Sequence, residues 1–172
     1  MELKSFIRDV PDFPISGVTF KDISPLLEAP EVFNFVIDQM ALVMKQRGVT
    51  KIVAIDSRGF IFGAPVAREL RLPLVLVRKP GKLPSETVSV SYNLEYGSGS
   101  LEVHRDAVGI DSRVAIVDDV LATGGTAEAA GRLVRLVGGK VVLNLFLLEL
   151  GFLGGRGKLV EQGEIVSLLN YG

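Results

Sequence analysis

The densest grouping of chemically useful residues is Val114-Ala115-Ile116-Val117-Asp118-Asp119-Val120-Leu121-Ala122-Thr123-Gly124-Gly125-Thr126. An apolar run leads into two adjacent carboxylates, then a turn of small, hydroxyl-bearing and glycine residues, then a helical pattern from about Thr126. Glycines let backbone N–H groups converge on an anion with no Cβ in the way. A helix start adds unsatisfied amides and the positive end of its dipole. Thr123 and Thr126 add hydroxyl donors, and Asp118 and Asp119 suit sugar hydroxyls or a hydrated divalent cation. The chemistry indicated is phosphate binding with sugar or cation contacts beside it. A capping threonine and turn glycines would explain Thr123 to Thr126 alone, but not two acids ending a core strand just before them. The pattern is not G-x-x-x-x-G-K-[ST], and no G-x-G-x-x-G follows a strand.

Composition removes other chemistries. With no cysteine there are no disulfides, thiolate zinc sites or thiol nucleophiles, and a single histidine, His104, excludes any site needing two imidazoles. Basic and acidic side chains number 19 and 20, so net charge gives no general case for a nucleic-acid partner. What remains is carboxylates, ammonium and guanidinium groups, hydroxyls and backbone amides. Met1 to Val10 carries Glu2, Lys4, Arg8 and Asp9 and does not read as a signal peptide. The greasiest run, Val141 to Leu150, is interrupted by Asn144 and Glu149 and falls short of the roughly 20 residues of a spanning helix. The expectation is a cytoplasmic protein without membrane association.

Positioning these groups falls to an alternation of elements. Ile52–Asp56, Leu74–Arg78, Val114–Asp118 and Val141–Leu148 are near-continuous apolar runs, suited to parallel strands covered on both faces. Ile61–Leu70 and Thr126–Val137 have helical spacing, and Gly138-Gly139 stops the second. Glu31–Arg47 places Phe33, Ile37, Met40 and Met44 on one stripe, read as core. The fold class expected is α/β, with a mostly parallel central sheet flanked by helices. Its 172 residues are read as one domain. Residues 1–30, with Pro11, Pro14, Pro25 and Pro30, are expected to form loops and short turns. Residues 80–107 read as an antiparallel excursion around Gly97-Ser98-Gly99, a lid candidate.

The segment from Val114 to Thr126 resembles the phosphoribosyl-pyrophosphate (PRPP) signature of the type I phosphoribosyltransferases. Other stretches resemble the adenine-using branch of that family. Phe13-Pro14 with Gly17 to Pro25 resembles its N-terminal base-binding hood, and Asp56-Ser57-Arg58-Gly59-Phe60 its pyrophosphate loop. Arg78 to Pro84 and Tyr92 to Gly97 resemble its mobile catalytic loop. Ser16 stands where a proline is common, and Thr19 where an aliphatic residue is common.

The resemblance implies transfer of a 5-phosphoribosyl group from PRPP to N9 of adenine, giving AMP and pyrophosphate. Asp118 and Asp119 are then expected to hold the ribose 2′- and 3′-hydroxyls, directly or through Mg²⁺ carried by PRPP, and Ala122, Thr123, Gly124, Gly125 and Thr126 to cradle the 5′-phosphate. Arg58 is the leading pyrophosphate ligand, since a forked guanidinium matches phosphate oxygens, with Ser57, Lys79, Lys82 and His104 behind it. Asp56-Ser57 is a candidate non-proline cis peptide. Glu95 is the expected catalytic carboxylate, accepting the N9 proton or serving N7's partner, and Tyr96 a lid residue. Phe20 and Leu150 are expected to sandwich adenine while the backbones of Thr19 and Lys21 read its edge. A homodimer is implied, with Lys79, Lys82 or His104 crossing between copies. Two rivals differ in kind: a PRPP-binding regulator, which would need a DNA-binding domain, and an enzyme selective for a six-oxo purine.

Overall fold

The computed structural model describes residues 2–94 and 97–172. They fall into two compact units, one ending at Gln39 and one starting at Met40. In the first, a 3-10 turn at Leu3–Phe6 precedes β1 (Arg8–Val10), which pairs antiparallel with β2 (Phe20–Asp22) before the short α1 (Ser24–Leu27). Residues 2–30 are therefore more ordered than their prolines suggested. Lys21 lies opposite Asp9 with Nζ 2.6 Å from its carboxylate, Arg8 lies opposite Asp22 at 2.7 Å, and Phe13 meets Phe20 edge-on at 5.3 Å. Such cross-strand pairs hold a ribbon that local propensity does not register.

The Asp22 carboxylate accepts hydrogen bonds from the Ser24 N–H (2.9 Å) and hydroxyl (2.7 Å). These bonds, with Arg8, lower its pKa from 3.8 to about 2. Because the folded value is the lower one, the stabilisation is present above pH 3.8 and is lost as pH falls towards about 2. Asp22→Ala is expected to destabilise the protein by about 1 kcal/mol near neutral pH, the usual net worth of an intramolecular hydrogen bond. In urea titrations at several pH values, that difference should vanish in the same acid window.

After α2 (Pro30–Gln46), on which Ile37, Met40 and Met44 are buried as expected while Phe33 is only half-buried, the second unit builds its sheet. β3 (Lys51–Ile55), α3 (Arg58–Leu70) and β4 (Leu74–Val77) form one crossover unit. A hairpin of β5 (Thr87–Asn93) and β6 (Ser98–His104) follows, antiparallel as expected. Then come β7 (Arg113–Leu121), α4 (Gly125–Leu136), β8 (Lys140–Leu150) and β9 (Glu164–Tyr171). The five strands lie in the order β4-β3-β7-β8-β9, all parallel. Ile116 and Val117 of β7 and Leu145 and Phe146 of β8 are almost wholly enclosed, which is why those runs are apolar on both faces.

Two boundaries differ from the sequence reading in ways that matter for chemistry. α3 begins at Arg58, three residues early, so that side chain rides on the first helical turn. β7 continues past Asp118 to Leu121, so the acid pair sits within the last turn of pleat rather than after it. β9 has no clean period of two, and its mixture of half-buried positions suits an edge strand. Among the described residues, no helix is long and apolar enough to cross a membrane.

Candidate active site at the carboxyl ends of the strands

β7 delivers Asp118 and Asp119 to the end of the sheet where ligands bind open α/β folds. Beyond Leu121 the chain turns through Ala122 and Thr123 to Gly124, whose φ of +83° puts it in the left-handed region. α4 starts at the next residue, and Gly124, having no side chain, cannot cap it. Its first amides therefore remain for an anion, which the helix dipole also favours. All five predicted cradle residues, Ala122 to Thr126, lie in this turn.

Asp119 is 3% exposed, and its carboxylate accepts the Nε–H of Arg58, 61 residues away in sequence. Asp118 Oδ1 accepts the Asp119 N–H at 2.9 Å. Burial, reinforced by the neighbouring Asp119 charge, holds the Asp118 carboxyl well above the usual carboxylate range. The two acids are thus unequal: one is ion-paired, the other inclined to keep a proton until a cation or hydroxyl donor arrives. Arg58 can approach because Gly59 follows it. A Cβ at Gly59 would stand 2.6 Å from the Val117 carbonyl oxygen, so only glycine brings the first turn of α3 this close to β7.

The Asp56–Ser57 peptide bond is cis, as the sequence reading allowed, and Ser57 is the exposed residue ahead of α3. The Asp56 carboxylate lies 3.3 Å from Arg78 Nε, 3.5 Å from the Lys79 backbone N and 3.8 Å from Lys82 Nζ. Arg78 in turn lies 5.7 Å over the Phe60 ring. Lys82 and the backbone of Lys79 therefore gather around the candidate pyrophosphate loop, while the Lys79 side chain is exposed. Asp56 and Arg78 were not singled out as site residues from sequence; the signal was there, a charge ending each of two apolar runs.

His104 ends β6, and its Nε2 accepts the Ser85 N–H at 3.4 Å. It borders a hollow of about 260 Å³ formed with Pro73, Leu76, Leu83 and Ala107, so its contacts lie at the foot of the hairpin and not in the Asp56–Arg58 cluster. Glu95 and Tyr96 lie outside the described residues. Just before them, Tyr92 and Asn93 line a groove of about 490 Å³ shared with Gly125, Glu128, Arg132 and Lys158, so the hairpin strand runs beside the phosphate turn. Of the adenine candidates, Thr19, Phe20 and Lys21 belong to the first unit and half-buried Leu150, the last residue of β8, to the second.

No group of three or more metal-binding side chains occurs among the described residues. Two carboxylates suit Mg²⁺ of the kind that arrives on substrate phosphates and keeps part of its water shell. The Asp118–Asp119 pair fits that group and does not fit a resident all-protein metal centre.

A phosphoribosyl transferase domain model matches residues 25–148. An adenine phosphoribosyltransferase of Mycoplasma mobile is 52% identical over 170 residues, covering 99% of this chain and 97% of the relative. The crystal structure of adenine phosphoribosyltransferase from Thermoanaerobacter pseudethanolicus superposes with a TM-score of 0.95 at 50% identity, covering 99% of this chain and 98% of that one. That of Saccharomyces cerevisiae, solved with an imino-altritol bisphosphate and adenine, gives 0.93 at 40% identity, covering 98% and 97%. On this match and these identities, the chain belongs to the phosphoribosyltransferase family, among its adenine phosphoribosyltransferases.

Proposed function

We propose that the protein transfers the 5-phosphoribosyl group of PRPP to N9 of adenine, yielding AMP and pyrophosphate in purine salvage. The observation that carries this is the uncapped glycine turn directly after Asp118 and Asp119, with Arg58 bound to the second acid. The ribose C1–O bond to pyrophosphate breaks, the C1–N9 bond forms, and the N9 proton leaves. Positive charge develops on the sugar and negative charge on the leaving group, as in glycoside cleavage. Catalysis then rests on positioning, on cations around pyrophosphate and on exclusion of water.

In this scheme Ala122 to Thr126 hold the 5′-phosphate, and Asp118 and Asp119 the ribose hydroxyls. Arg58 and Ser57 bind pyrophosphate, with Lys79, Lys82 and His104 as further contacts, some reaching across a homodimer. Phe20 and Leu150 enclose adenine, and the backbones of Thr19 and Lys21 read its edge. Mg²⁺ bound to PRPP supplies charge neutralisation of the pyrophosphate. Residues 1–172 act as one cytoplasmic phosphoribosyltransferase domain, with 1–30 as hood and 80–107 as lid. Glu95 takes the N9 proton, and Tyr96 covers the sugar-phosphate.

Pyrophosphate release that requires adenine, PRPP and Mg²⁺ together tests the reading; release without adenine would contradict it. Glu95→Gln is expected to lower kcat by about 100-fold, because glutamine keeps a hydrogen-bond acceptor but cannot take the proton. PRPP affinity should be nearly unchanged. A kcat within about twofold of the parent would remove Glu95 from the mechanism.

A further inference from the structure

The chain after β8 lies beyond the matched family region, yet part of it touches the phosphate turn. Gly155, opening a 3-10 turn at Gly155–Lys158, packs backbone against backbone on the cradle. A Cβ at Gly155 would stand 2.2 Å from the Ala122 carbonyl oxygen and 3.0 Å from the Gly124 nitrogen. Reciprocally, a Cβ at Gly124 would stand 2.4 Å from the Gly155 carbonyl oxygen. The same turn brings Lys158 Nζ to 3.8 Å from the Cβ position of Gly125.

The turn is pinned by its second residue. Arg156 Nε donates to both oxygens of Glu149, at 2.7 and 2.9 Å, and Nη1 donates to the Ile165 carbonyl at 3.2 Å. The Glu149 side chain is only 4% exposed near the end of β8, whereas that of Arg156 is 48% exposed. One guanidinium thus joins the turn to β8 and β9 together. A cradle of Ala, Thr, Gly, Gly and Thr has little side chain with which to hold its own shape. Its amides can be aimed at an anion before the ligand arrives only if something outside fixes them, and preorganised donors are the effective ones.

We propose that Arg156 is a positioning residue for the phosphate cradle. Anchored on Glu149, it holds the Gly155 backbone against Ala122 and Gly124. The inference rests on the proposed use of PRPP and concerns how that substrate's phosphate is received. Lysine at 156 retains the charge facing Glu149 but has no fork to reach Ile165 at the same time.

The test is calorimetric titration of Mg²⁺·PRPP into the parent protein, Arg156→Gln and Arg156→Lys, with melting curves and KM for adenine on each. Arg156→Gln is expected to weaken PRPP binding by about fivefold or more, with Arg156→Lys between it and the parent, as a displaced binding loop would. KM for adenine should stay within about twofold. A smaller PRPP effect in a folded Arg156→Gln protein, matching losses for adenine and PRPP, or failure of both variants to fold would each overturn the proposal, the last by making the ion pair a stability element. If Arg156→Gln alone fails to fold, Arg156→Lys is read instead, and a loss of PRPP affinity below about twofold there would overturn the proposal. A parent protein that does not bind PRPP would instead overturn the proposed function, so the two failures are distinguishable.

Discussion

Asp118→Asn is expected to stabilise the ligand-free protein while weakening PRPP binding about 10–100-fold, the range for loss of a charge-assisted hydrogen bond. Both effects follow from one carboxyl. In the folded chain Asp118 is half-buried against the nearly enclosed Asp119 carboxylate, and desolvation together with that neighbouring charge sets its pKa well above the ordinary 3.8. The folded state therefore holds a proton over a pH range in which the unfolded chain has released it. With fewer protons bound in the unfolded state, stability falls as pH rises from about 3.8 through the raised folded value. The parent carries that penalty at neutral pH and the asparagine variant does not. Thermal melts across pH should show a declining limb in the parent that is absent in the variant. For a chain of this size each kcal/mol recovered raises Tm by roughly 2–4 °C. Asparagine also loses the negative charge that favours ribose hydroxyls or Mg²⁺. Unchanged melting curves together with unchanged PRPP affinity would show that Asp118 neither bears the burial penalty nor meets the substrate.

Gly124→Ala is expected to lower kcat/KM for PRPP by about 100-fold or more, since misplacing a binding element by about 1 Å suffices for that. Two demands coincide at this position. Its φ of +83° disfavours any side chain, and the new Cβ would meet the Gly155 carbonyl oxygen at 2.4 Å. The atoms it meets are backbone, so relief must come from shifting the cradle or the Gly155 turn packed on it, and with either the aim of the first amides of α4. The left-handed conformation alone costs an L-residue about 1–2 kcal/mol, so the folded state should survive while anion binding does not. The check is steady-state kinetics with PRPP as the varied substrate, beside a urea unfolding curve. Near-parental kcat/KM would mean that the phosphate is held elsewhere.

The phosphate turn was legible because everything that defines it is contiguous. An apolar strand, two acids, two glycines and a helix pattern fall within thirteen residues, Val114 to Thr126. The sheet was legible for a related reason: β3, β7 and β8 are covered on both faces and read as near-continuous apolar runs, and the edge strand β4 reads the same way although its Leu76 is exposed. What could not be read joins residues distant in sequence. The pairing of Arg58 with Asp119 and the contact of Gly155 with Ala122 leave no local pattern, and the gathering of Arg78 and Lys82 on Asp56 depends on how two strand ends are brought together. Glu149 was visible only as an interruption in a greasy run; its meaning came with Arg156. In the first thirty residues the prolines pointed to irregular chain, and the β1–β2 ribbon held by Lys21 and Asp9 was missed for want of any local signal.

The most direct test of the central claim is the rate of nucleotide formation from PRPP and Mg²⁺ with adenine, guanine, hypoxanthine and xanthine offered separately to the purified protein. Adenine has an amino donor where the other three have an oxo acceptor, and a site built for one leaves polar groups unpaired with the other, which is worth orders of magnitude in kcat/KM. AMP should form far faster than GMP, IMP or XMP. Equal or faster nucleotide formation with guanine or hypoxanthine would contradict the adenine assignment.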